Sequence, residues 1–229
     1  MKILFIGGTG IISTAVSKLL LSRNEELFIL NRGNNNEKLP KGVTFLKGDM
    51  NNEEEIKELL KNYHFDVVVE WIAFNVDQVK RDYSLFKGIT KQYVFISSAS
   101  AYLKPVPRYP ITEDVPLGNP FWGYSDSKRV CEEYLKSVNS SDFNVTIVRP
   151  SHTYDEELLV YILTSWGNPM TQIDRILKGK KVIIPGDGTS LWTITFNADF
   201  AVGFVEVLGN PLAYNEAFHI TSNIYYTWE

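Results

Sequence analysis

Two tyrosine–lysine pairs, each one helical turn apart, are the residues of this 229-residue chain whose spacing points most directly to chemistry: Tyr83–Lys87 and Tyr124–Lys128. On a helix such a pair sets a phenol and an ammonium on one face. The ammonium favours the phenolate and draws the tyrosine down from its usual pKa of about 10. A tyrosine tuned in this way exchanges a proton with a substrate hydroxyl while a nicotinamide takes or gives hydride. Chance supplies about one such pair in a chain of this composition, so position must separate the two. Tyr124–Lys128 follows an apolar run, Tyr93 to Ile96, that ends in Ser97-Ser98-Ala99-Ser100-Ala101-Tyr102, where a serine can share the substrate oxygen. Tyr83–Lys87 has no such serine before it and reads as a packing tyrosine beside a solvated lysine. The catalytic expectation therefore falls on Tyr124 and Lys128.

A second motif supplies the place for a cofactor. The apolar run Ile3 to Ile6 meets Gly7-Gly8-Thr9-Gly10, and then Ile11, Ile12, Ala15, Val16, Leu19 and Leu20 recur at helical spacing. Strand, glycine turn and helix form the unit that binds a dinucleotide pyrophosphate: the glycines admit the phosphates and the helix start offers free N–H groups. Ser13 stands where the third glycine of the usual spacing falls, and a residue this small still permits close helix–strand packing.

The remaining elements alternate. Strands are expected at Leu27–Leu30, Val43–Leu46, from Asp66 through Val69, at Tyr93–Ile96 and at Val145–Val148, with helices at Glu53–Leu60, Asp77–Phe86 and Tyr124–Val138. This alternation predicts an α/β fold, a doubly wound parallel sheet in the order 3-2-1-4-5-6 with helices on both faces. Two irregular stretches, 103–122 (with five prolines) and 155–190, follow C-terminal strand ends, where ligands bind in this architecture. The expected division is a dinucleotide-binding part over 1–154 and a partial substrate-binding region over 155–229.

Composition narrows the classes. Hydrophobic residues make up 44% and charged residues 22%, ordinary for a globular protein. The net charge of −4 disfavours a non-specific nucleic-acid binder. A single cysteine, Cys131, precludes an internal disulfide and suggests a reducing compartment. The three histidines, His64, His152 and His219, lie far apart, so no metal site is expected. No run reaches membrane-spanning length and no leader precedes the first strand, and the expected location is the cytoplasm.

Taken in order, these pieces resemble the NAD-dependent epimerase/dehydratase family, the extended short-chain dehydrogenases/reductases. The matching segments are the turn at Gly7 to Ile12, Gly48-Asp49, Ser97 to Tyr102, Tyr124-Ser125-Asp126-Ser127-Lys128, Arg149-Pro150, Gly186-Asp187-Gly188, Asn197-Ala198-Asp199 and Ala217 to Ser222. The resemblance implies a Rossmann domain with a smaller C-terminal substrate-binding part, an oxidoreductase or epimerase activity, and nucleotide sugars as the common substrate class. It places Gly7, Thr9, Gly10, Ile11 and Ile12 on the pyrophosphate, Asp49 and Met50 by the adenine, and Ile72, Ala73 and Phe74 along the cofactor. Ser97 falls beside the cofactor and Ser98 at the catalytic serine. Lys128 is expected to reach the nicotinamide ribose, beside which lie Pro150, Ser151, His152 and Thr153. Asn75, Ser100, His152 and Trp192 are candidates to face substrate; Trp166, Phe196 and Trp228 are weaker ones, with core packing the main alternative. The family's dehydratases carry an acid pair after the catalytic threonine, whereas Ala99 and Ser100 follow Ser98 here, so dehydration is disfavoured. At the end of the second strand, Asn31-Arg32-Gly33 lacks the acid that grips a ribose 2′-hydroxyl, and Arg32 suits a 2′-phosphate, so NADP is expected ahead of NAD. Related chains pair through the helices at 77–87 and 123–138, which makes a homodimer through Val130, Tyr134 and Val138 an expectation. The family continues past residue 229, so the chain is expected to be a shortened member or part of one. The alternative reading is a dinucleotide sensor or an RNA-binding member without turnover.

Overall fold

The computed structural model describes residues 1–158, 168 and 170–228. Nine strands are present among them: β1 Lys2–Ile6, β2 Glu26–Asn31, β3 Thr44–Lys47, β4 Phe65–Glu70, β5 Thr90–Ile96, β6 Asn144–Val148, β7 His152–Tyr154, β8 Ile194–Phe196 and β9 Ala217–Phe218. The α-helices are α1 Ile11–Ser22, α2 Glu53–Leu60, α3 Val76–Phe86, α4 Gly123–Val138, α5 Thr171–Leu177 and α6 Asn197–Val205. Seven strands form one sheet in the order β3-β2-β1-β4-β5-β6-β9, each pair parallel. The expected six-strand order is there, extended by β9, whose Ala217 and Phe218 pair with Ile147 and Val148. A two-residue strand carries no periodicity of its own, which is why only its pairing reveals it. β7 and β8 make a separate parallel pair.

Central strands buried on both faces read as unbroken apolar runs. Successive side chains then serve opposite layers. Leu4, Ile6, Val68, Tyr93 and Phe95 enter the cluster with residues of α2, α3 and α4. Ile3, Phe5, Val67, Val69, Val94 and Ile96 enter the cluster with α1 and α6. The strand order reverses between β1 and β4, and this switch point opens the crevice at the C-terminal strand ends.

The end of β6 is anchored by a buried ion pair. Arg149 donates Nε and Nη2 to the two Glu132 oxygens of α4 at 3.0 and 2.7 Å. Its Nη1 donates to the Tyr102 hydroxyl and the Glu113 carbonyl, both at 3.2 Å. One guanidinium thus ties β6, α4 and the proline-rich segment together. Replacing Glu132 with alanine leaves a buried guanidinium without its anion, and we expect a loss of about 3–5 kcal/mol in urea unfolding. A double Glu132→Leu, Arg149→Met variant should recover most of that loss.

Helices α3 and α4 pack on each other, and the Tyr134 ring meets this chain's own Tyr83 at 6.4 Å. Part of the stripe expected to mediate dimerisation is therefore engaged within the chain. The outer surface of these helices carries the pairs Arg129–Asp126, Arg129–Glu133 and Lys80–Asp77. Among the described residues no helix is long and apolar enough to cross a membrane, and no His/Cys/Asp/Glu group could hold a metal. Trp166 and Pro169 lie outside the described residues.

Candidate active site

The turn after β1 is built by glycine geometry. Gly7 has φ +96°, and a Cβ there would sit 2.7 Å from the Ile72 Cγ2 atom, so only glycine fits both the left-handed backbone and the close approach. Ser13 is buried, and its hydroxyl accepts the Gly10 N–H at 2.9 Å and donates back to the Gly10 carbonyl at 3.1 Å. The serine in the third glycine position thus caps α1. The amides of Ile11 and Ile12 have no intrahelical acceptor, which leaves them at the helix start for an anion.

A cavity of about 410 Å³ runs from this turn along the strand ends. Gly7, Thr9, Asn31, Arg32, Asp49, Met50, Ile72 and Phe74 line it together with Gln78 and Arg81 of α3, whereas Ile12, Ala73, Ser97, Tyr124 and Lys128 are not part of its lining. Thr9 also borders a second cavity over α1 and α6, which Gly10 and Ile11 face. Asn31 accepts the Gly33 N–H through Oδ1 at 2.7 Å, while its buried Nδ2 has no partner among the described residues. Arg32 is exposed at the rim. The Ser97 hydroxyl, just past β5, is likewise buried and without a partner among the described residues. Buried donors without acceptors are costly. The Asn31 amide, which borders the cavity at the end of β2, fits a ligand rich in hydroxyl and phosphate oxygens, as a dinucleotide is.

Ser98 caps a single turn at Ala99–Ala101, and its Oγ accepts the Ser100 N–H at 3.2 Å. The hydroxyls of Ser98 and Ser100 lie 2.9 Å apart, and Ser125 donates to Ser100 at 2.9 Å. Asn119 donates to the Ser100 carbonyl at 2.9 Å. Ser100, a substrate candidate by sequence, serves here as the strut between Ser98 and α4. Tyr124 stands in the first turn of α4, against Trp122 (4.9 Å between ring centroids) and Phe74 (6.3 Å). Burial pushes its phenol up, and the Ser98 hydroxyl works against that shift.

Lys128, one turn on, is almost fully buried. Its ammonium donates to the carbonyls of Ala73 and Ile96, both at 2.7 Å, and lies over the rings of Phe95, Phe74 and Tyr124. Two of its three N–H groups are taken by carbonyls. Burial lowers its pKa to about 8. Ser98, Tyr124 and Lys128 thus converge from the end of β5 and the start of α4. In the other pair, Lys87 donates to the Tyr83 hydroxyl at 2.8 Å, with the Tyr83 ring edge-on to Phe143. That pair belongs to the packing between α3 and α4.

The other candidates separate. The Pro150 carbonyl accepts the Ala99 N–H at 3.0 Å, which joins this loop to the serine turn. The Ser151 hydroxyl lies 3.3 Å from the Thr193 hydroxyl, and His152 and Thr153 pair with β8. His152 stands edge-on to Trp192 at 4.8 Å, and burial lowers its pKa, so it is a neutral ring at pH 7. Trp192 packs on Trp228 at 3.9 Å, and Phe196 on Tyr154 at 5.5 Å. Asn75 caps α3 by accepting the Gln78 N–H at 3.1 Å. No motif singled out Arg81, which lines the cavity, or Trp122, which packs on Tyr124.

The NAD dependent epimerase/dehydratase family matches residues 3–85 and 82–220. This chain belongs to that family. A chloroplast stem-loop binding protein of 41 kDa b from Arabidopsis thaliana is 26% identical over 248 residues, covering 100% of this chain and 60% of that protein. A UDP-glucose 4-epimerase from Lactobacillus helveticus is 31% identical over 162 residues, covering 62% of this chain and 48% of that protein. The chain thus spans about half to three-fifths of these relatives' own lengths. Among solved structures, dTDP-glucose 4,6-dehydratase from Bacillus anthracis with NAD superposes at a TM-score of 0.79 with 22% identity, covering 100% of this chain and 77% of that one. The UDP-glucose 4-epimerase of Thermotoga maritima with UDP-glucose superposes at 0.76 with 21% identity, covering 99% and 79%. Membership in the epimerase/dehydratase family agrees with the Rossmann sheet and with the turn, serine and Tyr-x-x-x-Lys segments in their order along the chain.

Proposed function

We propose that this chain is a dinucleotide-dependent oxidoreductase or epimerase that acts on a hydroxyl-bearing small molecule, with nucleotide sugars as the substrate class. The observation that carries this reading is the convergence of Ser98, Tyr124 and Lys128 next to Phe74, which lines the same cavity as Gly7 and Asn31. Relatives named as UDP-glucose 4-epimerases and a dTDP-glucose 4,6-dehydratase support the substrate class. A bound nicotinamide supplies the hydride donor or acceptor. The chain's own residues do the rest. Tyr124 passes a proton to or from the substrate oxygen, Ser98 hydrogen-bonds that oxygen, and Lys128 carries the compensating charge. Ala99 and Ser100 are not strong general acids, so the reading favours epimerisation or reduction over dehydration.

The adenosine end favours NADP in this reading. Asn31 offers an amide donor where an acid would repel a phosphate, and Arg32 and Arg81 border the same cavity. Arg32→Asp is expected to weaken NADPH binding about 10- to 100-fold while changing NADH binding far less. Fluorescence titration with both nucleotides tests this, and equal affinity of the parent protein for both would remove the NADP preference.

The stem-loop binding relative covers the whole of this chain, which gives a second reading as an RNA-binding member. Titration with a structured RNA over a range of salt separates the two. Tight RNA binding with no dinucleotide affinity would favour the second.

A further inference from the structure

Glu70 and Asp82 are both fully buried (0% exposed), and neither takes part in the proton transfer just described. Glu70 closes β4. Its Oε1 accepts the Ile72 N–H at 2.5 Å, and its buried Oε2 receives no N–H or O–H from the described residues, while the carboxyl faces that of Asp82 within hydrogen-bond reach. Asp82, on α3, is well supplied: Arg81 donates Nε and Nη2 to its Oδ1 at 3.1 and 2.8 Å, and the Tyr93 hydroxyl donates to Oδ2 at 2.8 Å. Burial and the facing Asp82 charge push the Glu70 carboxyl well above the usual range. Arg81 and Lys128 are the cations around it, and Arg81 is already held by Asp82. Burial pushes the Asp82 carboxyl up as well, but Arg81 and the Tyr93 hydroxyl act against that rise, so Asp82 is the anion of the pair and Glu70 the acid that carries a proton.

What Glu70 holds is the strap Ile72-Ala73-Phe74. Ile72 and Phe74 line the dinucleotide cavity, and the Ala73 carbonyl accepts from Lys128. The strap has little backbone support of its own. Trp71 N–H reaches the Ile6 carbonyl, Ile72 N–H reaches Glu70, and Phe74 N–H reaches the Gln78 side chain at 2.6 Å. Gln78 and Asp82 both come from α3, so one helix sets the strap from two points.

We propose that Glu70, braced by Asp82, is a positioning residue: its carboxyl fixes the Ile72–Phe74 strap, and through the Ala73 carbonyl the Lys128 ammonium, where a dinucleotide and Tyr124 require them. The part concerning affinity rests on the dinucleotide reading above; the part concerning the strap does not. A glutamine replaces the neutral acid atom for atom, its carbonyl accepting from Ile72 and its amide donating toward Asp82. Alanine removes the acceptor, and aspartate is one methylene too short to reach it.

The experiment compares wild type, Glu70→Gln, Glu70→Ala and Glu70→Asp by hydrogen exchange and by NADPH titration. Exchange is read over residues 71–75 in the free protein, with residues 26–31 as the internal control. Glu70→Ala should speed exchange of the strap at least about tenfold with the control unchanged. It should also weaken NADPH binding about 10- to 100-fold. Glu70→Gln should stay within about threefold of wild type in both measures. Strap exchange within about twofold of wild type in Glu70→Ala would overturn the proposal, as would a Glu70→Gln variant that behaves like Glu70→Ala. If Glu70→Ala does not fold, Glu70→Asp decides: a fast strap supports the proposal and an unchanged strap overturns it. A wild-type protein that binds neither NADPH nor NADH fails the cofactor reading, and the exchange measurement then decides the strap alone.

Discussion

Replacing Tyr124 with phenylalanine is expected to lower turnover about 10²- to 10⁴-fold and to leave NADPH affinity within about threefold of wild type. The ring keeps its packing against Trp122 and Phe74, and only the hydroxyl goes. The pH dependence follows from the two groups. Burial raises the Tyr124 phenol, and Lys128 has a pKa of about 8. At neutral pH the pair is a phenol beside an ammonium, the form that donates a proton to a carbonyl being reduced. The reducing direction should therefore be level through neutral pH and fall above about 8, where Lys128 gives up its proton. The oxidising direction needs one proton fewer, so its rate should climb about tenfold per pH unit and level off near 8. Rate profiles in both directions check this, on a substrate identified from small molecules retained during purification. Near-normal turnover by Tyr124→Phe, with hydride transfer demonstrated, would remove Tyr124 as the acid–base group.

The resting geometry of Lys128 bears on that expectation. Its ammonium is fastened to the Ala73 and Ile96 carbonyls, one on the strap after β4 and one at the end of β5. A lysine held this way reads the position of both strand ends. Catalytic hydrogen bonds are often loose in ligand-free structures and tighten in the complex.

Much of this architecture was legible from local pattern. The strands reveal themselves because central parallel strands are continuously apolar, and the glycine turn because Gly7 must adopt a left-handed backbone beside Ile72. The cavity along Asn31, Asp49 and Ile72 follows from the rule that ligands sit at the strand ends. The buried charges were harder to read. Asp82 falls between Val79 and Phe86 on the buried phase of α3, and Glu132 beside Lys128, Cys131 and Leu135 on the buried phase of α4. An acid at an apolar phase is the available signal, but it names no partner. Arg149 and Arg81 meet these acids only once the sheet is assembled. Asn75 and Ser100 show the converse. Their polar groups suggested a ligand, and they are engaged locally as a helix cap and as a strut.

Gly10→Leu separates ligand binding from folding, because the fold does not itself require glycine at that position. The Gly10 backbone has φ −88° and ψ 173°, an extended conformation open to any residue. A Cβ there would meet only the Ser13 hydroxyl, at 3.6 Å, an ordinary contact. Gly7 differs on both counts, with φ +96° and a Cβ that would press on Ile72 at 2.7 Å. Gly7→Ala is therefore expected to cost about 1–3 kcal/mol in stability. Gly10→Leu should hold its melting temperature within about 2 °C of wild type. It should nonetheless lose NADPH affinity at least about 100-fold, because the side chain projects where a pyrophosphate must approach the Ile11 and Ile12 amides. Thermal melts paired with NADPH titration of both variants make the test. A Gly10→Leu protein that melts normally and binds NADPH as well as wild type would place the phosphates away from this turn, and the cofactor reading of the N-terminal segment would fall with it.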